Sequence, residues 1–211
     1  MKAEHLLLDG PAGKIETIVE RPAHLRGIAL IAHPHPLGGG SNSNKVVHTL
    51  ARALLGLGFE CWRPNFRGVG QSEGTHDEGV GETADLLAIL AAAQRGQESL
   101  PVVLAGYSFG AYCQTRVLKE LAARGQRIER VVLVGTAAGY VEGSRHYDTA
   151  DVPPDTLVIH GAIDTLVPLA NVLAWAEPLD LPVVVIPAAD HFFHRRLHLI
   201  RDIVTRAWSA G

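Results

Sequence analysis

Short continuous runs of valine, isoleucine, leucine and alanine recur along the chain and alternate with longer segments of helical character. The runs cover residues 27–32, 102–105, 131–134, 157–159 and 183–186, and a further strand is expected around 59–65. Apolar character without polar alternation is what a strand shows when both of its faces are covered, as in a parallel sheet. Helices fit between the runs at about residues 45–57, 82–94, 111–124, 169–176 and 194–208, and a hairpin at about 6–20 precedes them all. Strand and helix in alternation predict an α/β fold with a doubly wound, mostly parallel sheet, whose ligands lie beyond the carboxyl ends of the strands. Such a fold hosts many activities, so the loops must say which one.

A chain of 211 residues, 47% of them hydrophobic and 19% charged, is expected to form one globular domain spanning residues 1–211. The net charge of −3 offers no basic field for nucleic acid, so a small-molecule substrate is the expected partner. No stretch approaches the roughly 18 apolar residues of a membrane span, and the leucines at 6–8 form too short a run for a signal peptide. Two cysteines, Cys61 and Cys113, fit a reducing cytoplasm better than a disulfide scaffold.

The pattern Gly-x-Ser-x-Gly occurs twice, around Ser108 (Gly106 to Gly110) and around Ser72 (Gly70 to Gly74). A nucleophile elbow needs a buried strand before the serine and a helix after it, with glycines where the two pack too closely for a side chain. Ser108 has that setting, between the run ending at Ala105 and the helical segment starting at Ala111. Ser72 sits among Arg67, Gly68, Glu73, Thr75 and Asp77, in a polar loop. That loop also misses the GxGxxG spacing of a dinucleotide site by one residue. Ser108 is therefore the expected nucleophile.

A serine hydroxyl needs a base to take its proton, and the imidazole needs a third group to hold its tautomer. In this architecture the order along the chain is serine, acid, histidine. Asp164 follows the run at 157–159 and His191 follows the run at 183–186, which makes them the expected acid and base. Asp190 is the rival acid, disfavoured because chain neighbours rarely point at each other. His191, His194 and His198 could instead be read as a metal cluster on a helix start. No HExxH arrangement or cysteine pair accompanies them, so no metal is expected.

Acyl transfer also needs fixed donors where charge develops on the carbonyl oxygen. The backbone N–H of Phe109 is one candidate. The loop after the first buried run, His33-Pro34-His35-Pro36-Leu37-Gly38-Gly39-Gly40, should supply the other. Its prolines have no N–H, which leaves His35, or alternatively Leu37.

Taken in order, His33-Pro34-His35-Pro36, Asn44-Lys45-Val46-Val47, residues 63–70, Gly106-Tyr107-Ser108-Phe109-Gly110 and Ala189-Asp190-His191-Phe192-Phe193 span nearly the whole chain. In this set the sequence resembles the small capless bacterial α/β-hydrolases, similar to dienelactone hydrolase. The resemblance implies a sheet of about eight strands, no metal or organic cofactor, and hydrolysis of esters or related acyl compounds. Two departures matter. Dienelactone hydrolase uses a cysteine where this chain has Ser108, so its lactone substrate does not carry over, and Ser41-Asn42 stand where the small hydrolases usually show Thr-Met. The same triad could serve a thioester, an amide or a peptide, and a non-catalytic binding protein on this scaffold is the remaining alternative.

Hydrolases of this fold commonly insert a lid after the sixth strand. Here about twenty residues separate the runs ending at Val134 and beginning near Thr156, and they are rich in Gly, Pro and charge. The expectation is a loop with at most one short helix, no cap domain, and an open cleft bordered by Tyr107, Phe109, Tyr140 and Phe192.

Overall fold

The computed structural model describes residues 3–141 and 145–209, together with the backbone alone of the last of these. Among the described residues, ten strands and five α-helices follow one another: β1 (Ala3–Gly10), β2 (Gly13–Glu20), β3 (Gly27–Ala32), α1 (Lys45–Gly56), β4 (Phe59–Pro64), α2 (Val80–Gln94), β5 (Val102–Tyr107), α3 (Phe109–Ala123), β6 (Arg130–Val134), β7 (Gly139–Val141), β8 (Arg145–Tyr147), β9 (Leu157–Gly161), α4 (Leu169–Ala176), β10 (Val183–Ile186) and α5 (Leu197–Ser209). Eight of the strands form one sheet in the order β1-β2-β4-β3-β5-β6-β9-β10. From β4 to β10 all neighbours are parallel, whereas β2 runs antiparallel to both β1 and β4.

The parallel strands β3, β5, β6 and β9 are covered on both faces, as their continuous apolar runs predict, whereas the equally buried β4 carries Glu60 and Arg63, paired with Arg21 and Glu20. In β3, Ile28, Leu30 and Ala32 join the core under α2, α3 and α4. The alternate residues Ala29 and Ile31 join the core under α1 and α5. The strand's period of two therefore feeds two separate apolar layers, and each fully buried leucine or isoleucine contributes roughly 1.5–3 kcal/mol. The edge strand β10 departs from this rule. Val184 and Val185 are each 37% exposed, because no further strand covers that side. Their Val-rich run looks like that of a central strand, since side-chain chemistry does not report position in the sheet.

The interval after β6 corrects one expectation. It holds neither a plain loop nor a short helix: β7 and β8 pair as an antiparallel hairpin, Gly139 opposite Tyr147 and Val141 opposite Arg145. Glu142, Gly143 and Ser144 lie outside the described residues. No cap domain stands over the sheet among the described residues. The strands β5 and β9 also run two residues beyond the apolar runs that announce them, to Tyr107 and Gly161. These extensions carry the chain to the points where the site begins.

Candidate active site

Strand β5 turns into α3 at Ser108, whose φ of 56° and ψ of −120° place a non-glycine residue in a rarely occupied region. The contacts that hold it there are backbone hydrogen bonds. Its N–H donates to Val134 O at 2.9 Å, and its own carbonyl accepts Ala111 N–H at 2.9 Å. The flanking glycines are sterically required. A Cβ on Gly106 would lie 2.5 Å from Gly110 O, and one on Gly110 would lie 2.4 Å from both Ala32 O and His33 O. The strained turn lifts the Ser108 hydroxyl to the carboxyl edge of the sheet, as a nucleophile elbow does.

Two further loops converge on it. His191 Nε2 is 2.9 Å from Ser108 Oγ, and His191 Nδ1 is 2.7 Å from Asp164 Oδ2. A carboxylate can only accept, so Nδ1 carries the proton and Nε2 is left to accept from the serine. The other Asp164 oxygen, Oδ1, accepts Leu166 N–H at 3.0 Å and Val167 N–H at 2.8 Å, which fixes the carboxylate in its own turn. Tyr107 OH donates to His191 O at 2.8 Å and holds the histidine loop from beneath. The rival Asp190 faces outward onto His194, with which it pairs. His191, His194 and His198 do not converge, and among the described residues no group of three or more His, Cys, Asp or Glu is placed to hold a metal ion.

His160 is a residue that sequence reasoning did not single out. Its buried Nε2 donates to Val167 O at 3.0 Å and stands 3.4 Å from Asp164 Oδ2. Burial pushes its pKa below the ordinary value, so the ring is neutral beside the carboxylate. Only its occurrence four residues before Asp164 could have signalled it.

The loop 33–40 is pinned by His33, whose ring closes two bonds. Nδ1 donates to Pro34 O at 2.7 Å, and Nε2 accepts Phe66 N–H at 2.8 Å. Beyond it, Asn42 N–H donates to Asn65 Oδ1 at 2.8 Å, while Asn42 O accepts from Arg63 at 3.0 Å. The residues that depart from the Thr-Met pattern thus still tie this loop to the end of β4. The two candidate donors differ in their partners. Leu37 N–H is used by the His35 ring, whose Nδ1 accepts it at 3.2 Å. Among the described residues, the N–H groups of His35 and Phe109 have no partner within the chain.

Burial lowers the His33 pKa from its ordinary 6.5 to about 3, and that of His35 to about 4. Unfolded, these rings bind protons below about 6.5; folded, they refuse them until about 3 to 4. Stability is therefore expected to fall as pH drops through that window. Thermal melts from pH 7 to pH 4 should show a declining Tm, with a shallower decline in His33→Asn, which starts lower at pH 7. An identical slope in both proteins would remove His33 from this account.

Above the serine lies a cleft of about 350 Å³ lined by Tyr107, Phe109, Val141, Arg145, Tyr147 and Phe192, among others. Tyr107 is buried at its floor, and Phe192, 54% exposed, forms its rim. Tyr140 is a correction. It is 71% exposed and packs its ring on His146, off the cleft, because alternation along β7 turns Val141 inward instead. Tyr147 and Arg145, across the hairpin, take the place expected of it.

Comparison with known proteins places this geometry. Residues 34–152 match the family model described as the alpha/beta hydrolase fold. A solved α/β serine hydrolase homologue from Coxiella burnetii is 38% identical, with a TM-score of 0.84 over 98% of this chain and 97% of that one. An α/β serine hydrolase without lid from Xanthomonas campestris is 34% identical, with a TM-score of 0.85 over 98% and 93%. An uncharacterised protein of Rickettsia prowazekii is 30% identical over 197 residues, which cover 89% of this chain and 81% of that protein.

Proposed function

Because the chain belongs to the α/β-hydrolase fold family, we propose that it is a serine hydrolase cleaving carboxylic esters of small acyl groups through an acyl-enzyme on Ser108. The observation that carries this reading is the relay from Ser108 Oγ to His191 Nε2 at 2.9 Å and from His191 Nδ1 to Asp164 Oδ2 at 2.7 Å. Ser108 Oγ attacks the acyl carbon as His191 takes its proton. The carbonyl oxygen becomes an oxyanion, stabilised by the N–H groups of Phe109 and His35. Collapse expels the alcohol, which leaves with the proton held by His191. Water then repeats both steps on the acyl-enzyme and frees the acid. Asp164 keeps its charge throughout, orienting and stabilising the imidazolium. The reading calls for no metal and no organic cofactor.

The substrate is a small molecule held in a cleft open to water, and a single domain serves both binding and chemistry. A cytoplasmic location suits the two cysteines, both of them free and buried. No helix among the described residues is long and apolar enough to cross a membrane.

Acyl length tests the reading. The β7–β8 hairpin stands where a lid would stand, and it covers little of a long chain. Each methylene left in water forgoes roughly 0.8 kcal/mol of transfer energy. Values of kcat/KM on p-nitrophenyl esters from acetate to palmitate are expected to peak at short chains, without activation at a lipid–water interface. A rise continuing past eight carbons would mean an enclosed acyl tunnel and would overturn the open-cleft reading.

A further inference from the structure

The first turn of α2 contains a carboxylate with more partners than capping the helix requires. Glu82 is fully buried in the first turn of α2, where capping needs only the bond from Gly79 N–H to Oε2, at 2.8 Å. Its other oxygen, Oε1, turns back into the loop and accepts Asp77 N–H at 2.9 Å and His76 Nδ1–H at 2.8 Å. A buried carboxylate is costly to desolvate and holds its donors tightly in return. The His76 ring is thereby fixed at one place.

That place is against the oxyanion donors. The His76 ring centroid lies 4.7 Å from that of His35 and 5.3 Å from that of Phe109, and the His35 and Phe109 rings are 4.9 Å apart. Three rings thus touch one another. Two belong to the residues whose backbone N–H groups have no partner among the described residues; the third is tied to Glu82. The His35 ring also accepts Leu37 N–H on Nδ1, so its position and the course of the donor loop are set together. Phe109 is held on its far side by Phe66, at 5.5 Å, whose own N–H is bound by His33.

We infer that Glu82 and His76 are a positioning pair for the oxyanion hole: Glu82 fixes the His76 ring, and that ring sets the separation of the His35 and Phe109 N–H groups. The inference rests on the hydrolytic reading of Ser108. Neither residue touches the substrate carbonyl. A displaced donor weakens stabilisation of the oxyanion more than it weakens binding of the ground-state ester.

The test measures kcat and KM for p-nitrophenyl acetate, together with the inhibition constant of a trifluoromethyl ketone, whose serine adduct carries an oxyanion. Removal of a whole donor costs 10²–10³ in kcat, so His76→Ala, which only loosens one, is expected to lower kcat about tenfold. KM should stay within about twofold, and the ketone should weaken by the same factor as kcat. His76→Phe restores a ring and should recover most of the lost kcat. If His76→Ala does not fold, His76→Gln, which keeps an N–H for Glu82 but no ring, replaces it with the same expectation. An unchanged kcat, a loss confined to KM, or a His76→Phe no better than His76→Ala overturns the positioning pair. A wild-type protein that fluorophosphonate does not label overturns the hydrolytic reading itself, and the inference with it.

Discussion

Ser108→Ala is expected to abolish ester hydrolysis and fluorophosphonate labelling while leaving the fold intact. Loss of a triad nucleophile costs about a million-fold in kcat, and removing the base as well adds little, because the two act as one unit. The variant should fold because alanine keeps the Cβ and the φ of 56° that the elbow already imposes, and the bonds from Ser108 N–H and to Ser108 O involve only backbone. Ser72→Ala is the control. The Ser72 hydroxyl is buried, donates to Asn65 O at 2.9 Å and accepts Glu16 N–H at 3.0 Å. Its removal leaves those two groups unpaired, at a cost of about 1–3 kcal/mol in stability, with most of the activity retained. Labelling that survives Ser108→Ala but vanishes in Ser72→Ala would assign the nucleophile to the other Gly-x-Ser-x-Gly pattern.

His191→Ala is expected to be nearly as damaging, whereas Asp164→Asn should retain more activity, falling about ten-thousand-fold. The difference follows from how Asp164 is held. Its Oδ1 takes the N–H groups of Leu166 and Val167, and an asparagine oxygen can keep both. The amide nitrogen must then face His191 Nδ1, now 2.7 Å from Oδ2, and it can only donate. The imidazole is driven to the tautomer with its proton on Nε2, facing Ser108, where it cannot accept. Asp164→Ala should be destabilised as well, since the turn loses its anchor. Kinetics on the three variants would check the ranking. Asp164→Asn within tenfold of wild type would mean that another group, such as Asp190, supplies the acid.

Most of the sheet was legible because its strands are buried on both faces. Burial on two faces favours an unbroken apolar run, and a run bounded by polar segments is a local property of the chain. The elbow at Ser108 was legible for the same reason. Strand, strained serine, close-packed glycines and helix are consecutive residues, so the context separating Ser108 from Ser72 lies within a few positions of each. Asp164 and His191 could be named because each follows the end of a recognisable strand.

The hairpin of β7 and β8 was not legible. Strands of three residues carry too little periodicity to register, and this interval is polar, so its pairing depends on the neighbours it finds. That failure also put Tyr140 on the wrong side, since facing within a hairpin follows from register.

Local sequence therefore determined the α/β alternation, the identity of the elbow and the candidates for acid and base, because each rests on neighbours along the chain. Tertiary structure decided the rest. It folded the His35 ring back onto the Leu37 N–H. It brought His160 beside Asp164, and it set the Glu82-bound His76 against His35 and Phe109. These are contacts between loops that meet only where the sheet carries its carboxyl ends to one edge, and a distance across space leaves no periodic mark on a sequence.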